Sequence, residues 1–258
     1  MEIVGRGFLA GHLTAVGARH EAALVLAAGV STTVAHARAD FDREAELVRE
    51  TLTRCRAEGR TMVLFSTAST ALYGPGTDGR ENEVLVPRTP YGRHKLAMER
   101  LVRDSPVNWL ILRLTHLVGS GQRPHQLLPS LINQVRKGAV RVRRGARRDL
   151  LDVKDAVRAV DALLEARVTH EVVNVASGVP VPVERIVDRI EEILGSRAAR
   201  ETIGTEPSAP AVSSDKLRGL VAPGVLVHDA DYPWRLLDRY VPAAAGPLGP
   251  RPDPATPS

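Results

Sequence analysis

The sequence predicts an α/β fold, a doubly wound parallel sheet followed by a small C-terminal part. Three observations predict it. Continuous apolar runs of strand length recur at residues 22–28, 61–66, 109–114 and 172–176, and unbroken runs of that length mark strands covered on both faces. Segments with helical apolar spacing lie between them. A glycine turn, Gly5-Arg6-Gly7, joins the first short apolar stretch to the first helical one. Strands alternating with helices in this way assemble into a parallel sheet.

Taken in order, residues 2–5 make a short strand and residues 8–19 a helix, with the glycine turn between them. Residues 22–28 form a buried strand. Phe41, Ala45, Val48, Leu52 and Cys55 then recur at three- and four-residue intervals, which makes a helix with one apolar stripe and puts Cys55 in the core. Residues 61–66 are a strand, 91–103 a helix and 109–114 a strand. Helices follow over 127–136 and 153–166, then a strand over 172–176 and a strongly amphipathic helix over 183–194. Pro247, Pro250, Pro252, Pro254 and Pro257 crowd the end of the chain and predict a disordered tail over 243–258. No internal repeat interrupts this order.

Composition narrows the function. A chain of 258 residues, 43% apolar and 25% charged, can bury a core. Its longest apolar run, residues 22–30, falls far short of the roughly 18 residues of a membrane span. An acid, Glu2, stands where a basic leader segment would begin, and a single cysteine excludes a disulfide framework or a cysteine-built metal site. A cytoplasmic protein is expected. No His, Asp or Glu cluster has metal-ligand spacing. Aromatic residues are 3%, too few for the stacking platforms that grip single-stranded nucleic acid. Residues 136–148 hold seven of the basic residues that give the chain its net charge of +5. They read as a solvated rim, as an anion site, because the Arg fork matches phosphate, or, third and weakest, as a nucleic-acid contact, since no helix-turn-helix, zinc-finger or stacking motif stands beside them.

Three constellations carry chemistry. The first is Gly5-Arg6-Gly7-Phe8-Leu9-Ala10, a G-x-G-x-x-A turn after a strand and before a helix. Glycines let backbone approach a pyrophosphate, and the helix start supplies free N–H groups. The second is Tyr91 and Lys95, four residues apart on one helix face. An ammonium about 4 Å from a phenol favours the tyrosinate by about 4 kcal/mol at an effective dielectric of about 20, so such a Tyr can give or take a proton. The third is the run of hydroxyl residues Ser66, Thr67, Ser69 and Thr70 at a strand exit, where open parallel sheets bind ligands.

Together with VLFSTASTALYG, TPYGRHKLAMERLV, LILRLTHLVGSGQ and RRDLLDVKDAVRAVDALL, these motifs make the chain resemble the NAD(P)-dependent epimerase/dehydratase family, the extended short-chain dehydrogenase/reductases. The resemblance runs from Met1 to about Leu194. It implies a Rossmann-like core over residues 1–178 with substrate-site insertions at about 120–150, and a small substrate-binding part over 179–242. It implies that Ser69 polarises a substrate oxygen, that Tyr91 is the general acid and base, and that Lys95 assists it and holds a cofactor ribose. Gly5, Arg6, Gly7, Phe8, Leu9 and Ala10 would meet the cofactor pyrophosphate. Thr70, His116, Gln126, Arg148 and Asp152 would contact substrate, with Gln126 and Arg148 on a nucleotide diphosphate.

One gap stands out. In the family a two-strand, two-helix segment separates the glycine turn from the strand LVLAAG, and here only residues 11–21 intervene. The resemblance therefore implies a truncated doubly wound sheet, its first strand at or near an edge beside residues 22–28, without the walls of the adenosine site. NAD or NADP is the expected cofactor, bound weakly or not used. Three functions fit: an NAD(P)-linked ketoreductase or epimerase acting on a nucleotide-activated deoxysugar or related metabolite, a cofactor-independent isomerase, dehydratase or cyclase using the same Ser, Tyr and Lys, and an inactive binding subunit. The expected partner is an anionic or nucleotide-linked small molecule, with no nucleic acid and no membrane. A homodimer is compatible with the sequence and not required by it.

Overall fold

A computed structural model describes residues 1–30, 38–75, 77–206, 211–226 and 228–245. Its centre is a five-stranded sheet of β1 (Glu2–Val4), β2 (Ala23–Leu26), β3 (Thr61–Thr67), β4 (Trp109–Leu114) and β8 (Glu171–Val175), in that spatial order. Every neighbouring pair is parallel, with Glu2 opposite Leu24 and Ala23 opposite Thr61. Among the described residues nothing pairs with the outer side of β1, which is therefore the sheet edge. The expected truncated sheet is the one found.

Alternation along the strands divides the core into two layers, since successive side chains leave opposite faces. Leu24, Leu26, Met62, Leu64 and Ile111 meet Val48, Leu52 and Cys55 of α2 (Arg38–Glu58) and Met98 and Val102 of α4 (Pro90–Arg103). Val25, Val63, Leu110 and Leu112 leave the other face, towards Leu13 of α1 (Phe8–Leu13) and Ala156, Val160 and Leu163 of α6 (Val153–Glu165). Cys55 is a buried core residue, as its spacing predicts.

Between β3 and α4 lies the short α3 (Thr70–Tyr73), and between β4 and α6 come β5 (His116–Val118), α5 (Leu127–Arg136), β6 (Ala139–Arg144) and β7 (Arg147–Asp152). After β8 follow β9 (Pro180–Pro182), α7 (Val183–Leu194), β10 (Ala199–Thr205), α8 (Asp215–Leu220) and α9 (Tyr232–Ala245). β5 pairs with β7 and β7 with β9 in one small sheet, and β6 pairs with β10 in another. Helices α5, α7 and α9 share the layer of α1 and α6 through Leu131, Ile186 and Leu237.

Two expectations need correction. The helix expected over 8–19 is α-helical only to Leu13, and residues Thr14–Arg19 tighten into a 3-10 turn. Thr14 Oγ1 donates to the Gly11 carbonyl, and Gly11 and Gly17 weaken helical propensity on either side. The tail expected from residue 243 starts too early, because α9 continues to Ala245; residues 246–258 lie outside the described residues. Among those described, no helix is long and apolar enough to cross a membrane.

Candidate active site

A cavity of about 610 Å³ opens at the carboxyl ends of β1 to β4. Arg6, Gly7, Phe8 and Leu9 line one side, Ser69, Tyr91 and Lys95 another, and His116, Gln126 and Arg148 a third. Residues 85 positions apart in sequence, Arg6 and Tyr91, thus share one space because parallel strands end on the same side of the sheet.

The glycine turn is shaped by β2. Gly5 has φ +139°, and a Cβ there would lie 2.5 Å from the Ala27 carbonyl oxygen, so no other residue fits. Gly7 caps α1, and a Cβ on it would meet nothing within 4 Å. That open face lets a ligand approach the backbone. Gly5 and Ala10 do not line the cavity: Gly5 bends the chain and Ala10 is 3% exposed in the core.

Helix α4 delivers Tyr91 and Lys95. Thr89 caps it, accepting a hydrogen bond from the Gly92 amide at 3.0 Å, and Pro90 opens its first turn. Gly92 permits a close crossing, since a Cβ would sit 1.8 Å from the Ala71 carbonyl oxygen of α3. This contact holds Tyr91 against the segment that begins with Ser69. Ser69 caps α3 and accepts from the Thr67 hydroxyl at 3.0 Å. Thr70, one residue on, is half-buried in α3 and lies outside the cavity lining.

The Lys95 ammonium stands 5.9 Å from the centre of the Tyr91 ring and donates to Glu44 Oε1 at 2.7 Å. The other Glu44 oxygen is 2.9 Å from both the Val30 amide and His94 Nε2. Burial by itself would raise the Glu44 carboxyl, but His94, Lys95 and Val30 outweigh it and hold the group at about 2. Sequence reasoning missed Glu44. The available signal was its position, one turn before Val48 on the buried stripe of α2, where an acid needs a partner.

A second missed network supports the site. Arg113 donates twice to Glu99, at 3.0 and 2.7 Å, and once to the Tyr73 hydroxyl at 3.0 Å. Ser66 donates to Glu99 and Tyr73 donates to Asn174. These buried contacts tie β3, α3, α4, β4 and β8 together beside the cavity.

On the substrate side, Gln126 caps α5 and its Oε1 accepts from the Arg123 amide at 2.6 Å. Burial, with the charge of Arg148 added, pushes the His116 imidazole down to about 3. Arg148 forms a bidentate pair with Glu206, at 2.7 and 3.0 Å. Of the basic cluster at 136–148, only Arg148 lines the cavity. Strand β6 alternates, burying Val140 and Val142 while Arg141, Arg143 and Arg144 face outwards. Asp152 is not in the cavity. It is 2% exposed, caps α6 through the Lys154 amide, and accepts from the Tyr240 hydroxyl and Arg239. It anchors α9 from outside the cavity lining, whereas the resemblance implied a substrate contact.

Comparison with known proteins adds the family. The profile of the NAD dependent epimerase/dehydratase family matches residues 12–176, beginning just after the glycine turn. A Bacillus subtilis protein named as an uncharacterized UDP-glucose epimerase, YtcB, is 30% identical over 190 residues, 68% of this chain and 59% of that protein. The UDP-glucose 4-epimerase of Thermus thermophilus, solved in complex with NAD, superposes with a TM-score of 0.67 at 22% identity, covering 82% of this chain and 75% of that one. TunA, an NAD-dependent NDP-hexosamine 5,6-dehydratase involved in tunicamycin biosynthesis, superposes at 0.73 with 18% identity, covering 91% of this chain and 94% of its own. The chain spans about half the length of the curated relatives it matches.

Proposed function

The chain belongs to the NAD dependent epimerase/dehydratase family, and we propose that it is an NAD(P)-linked ketoreductase or epimerase acting on the carbonyl or carbinol carbon of a nucleotide-linked sugar. One observation carries this reading: Ser69, Tyr91 and Lys95 line the same cavity as the glycine turn. The open face of Gly7 suits a pyrophosphate, and an ammonium has three donors, of which Glu44 takes one from Lys95. The turn and Lys95 would therefore hold the dinucleotide, which when bound supplies reversible hydride transfer. Tyr91 gives a proton to the substrate oxygen or removes one, and Ser69 hydrogen-bonds that oxygen. Arg148 anchors the anionic part of the substrate, in exchange for some of its contact with Glu206. The names of YtcB and the Thermus enzyme make UDP-glucose the first substrate to try.

The test is product analysis with UDP-glucose and NAD, together with NADH and NADPH fluorescence titration. Tyr91→Phe should lower turnover about a hundredfold or more, the usual worth of a positioned acid or base. An unchanged rate in that variant refutes the catalytic role. A second reading, a cofactor-independent isomerase, dehydratase or cyclase, is favoured by one observation, that Lys95 is paired with Glu44 within the protein itself. Turnover that depends on Tyr91 in protein stripped of dinucleotide would select it.

A further inference from the structure

Beneath the cavity lies a buried carboxylate, Glu44, paired with Lys95 and given no part by the acid–base chemistry at Tyr91. The Glu44 side chain is 1% exposed, and its oxygens meet donors from Lys95, His94 and the Val30 amide. A carboxylate buried this deeply persists only when paired and hydrogen-bonded. Its surroundings are built to receive it. Gly29 has φ +132°, and a Cβ there would lie 2.4 Å from Glu44 Oε1. Phe41, one turn before Glu44, stacks on the His94 ring at 4.4 Å and holds that imidazole in place. Glu44 itself does not line the cavity, whereas Lys95 does.

Resting on the reading that Tyr91 and Lys95 perform acid–base chemistry, we infer that Glu44 is a positioning residue for them: it fixes the Lys95 ammonium beside Tyr91 from below and balances its charge before any cofactor ribose arrives. Glu44 touches neither substrate nor cofactor. It acts through Lys95, whose remaining donors stay available to the cavity.

Acetic anhydride labelling at pH 8, quantified by peptide mass spectrometry, reads Lys95 directly, with exposed Lys137 as internal reference. A desolvated ammonium that loses its counter-ion gives up its proton more readily. Glu44→Gln should therefore raise the Lys95-to-Lys137 labelling ratio about tenfold. On the substrate turned over by the wild type, it should lower kcat about tenfold and leave KM within about twofold. An unchanged ratio or an unchanged kcat overturns the inference. His94→Gln removes a different contact from Glu44 and should leave the ratio within about threefold; an equal rise there means general loosening, and also overturns it. Should Glu44→Gln fail to fold, Lys95→Met and Lys95→Met/Glu44→Gln decide by thermal melting. The double variant should melt above the single one, because it leaves no buried carboxylate stripped of its ammonium, and the reverse order refutes the pairing. Labelling needs no turnover, so this result stands apart from that of Tyr91→Phe.

Discussion

Replacing Gly92 by Ala tests how the fold positions the site. The added methyl would lie 1.8 Å from the Ala71 carbonyl oxygen, 2.6 Å from its carbon and 2.9 Å from Pro87 Cβ. An ordinary close C···O approach is about 3.3 Å, so α4 must withdraw from α3 by roughly 1.5 Å. Overpacking of this kind costs about 1–3 kcal/mol, and the upper end applies because the obstacle is backbone and no side chain can swing aside. Alanine recovers up to about 1 kcal/mol through helix propensity. A net loss of about 2 kcal/mol should lower the melting temperature by roughly 4–8 °C in a domain of this size. Tyr91 precedes Gly92 and moves with it, and a misplacement of about 1 Å can cost on the order of a hundredfold in rate. Calorimetric melting and turnover measured on the same preparation check both effects. A variant as stable and as active as the wild type would refute the close crossing of α3 and α4.

Arg148→Ala should weaken binding of UDP by roughly ten- to a hundredfold, the worth of about 1.5–3 kcal/mol for hydrogen bonds to a charged group; identical calorimetric titrations would return Arg148 to a purely structural pairing with Glu206. Dinucleotide affinity in the monomer should be weak, because β1 is the sheet edge and nothing described beyond it can cover adenine. Losing about 100 Å² of apolar cover costs about 2.5 kcal/mol, nearly a hundredfold, and submicromolar binding of NADH or NADPH to a monomer would contradict this. Stability should fall with acid in two stages. His116, held down to about 3, contributes stability that is complete above its unfolded value near 6.5 and is lost as the pH falls towards 3. Glu44 and Asp155 both lie at about 2, the latter held down against its burial by hydrogen bonds with His228, Tyr232 and Arg158. They contribute stability that is complete above their unfolded values of 4.5 and 3.8 and is lost as the pH falls through 2; the share of Glu44 is about 3 kcal/mol. Urea midpoints between pH 7.5 and 2.5 should show both stages, and His116→Gln should flatten the upper one alone. An unaltered upper stage in that variant would remove His116 as its source.

The sequence by itself determined what depends on local order. Apolar runs and helical spacing are properties of neighbouring residues, so the helices at 127–136 and 183–194 and the strand at 109–114 have the bounds read from the chain. The short interval between Gly7 and Ala23 left room for one helix and so made β1 an edge. The four-residue spacing of Tyr91 and Lys95 set them on one helix face, since an α-helix turns every 3.6 residues. Tertiary structure alone decided which partner each polar group meets. Lys95 finds Glu44 51 residues away, Arg148 finds Glu206 58 residues away, and Asp152 finds the Tyr240 hydroxyl 88 residues away. The same motif, R-D-L-L-D, thus contributes Arg148 to the cavity wall and Asp152 to a buried anchor. A carboxylate or guanidinium is chemically identical in either setting, and only the packing of distant elements determines whether it faces a cavity or a counter-ion in the core.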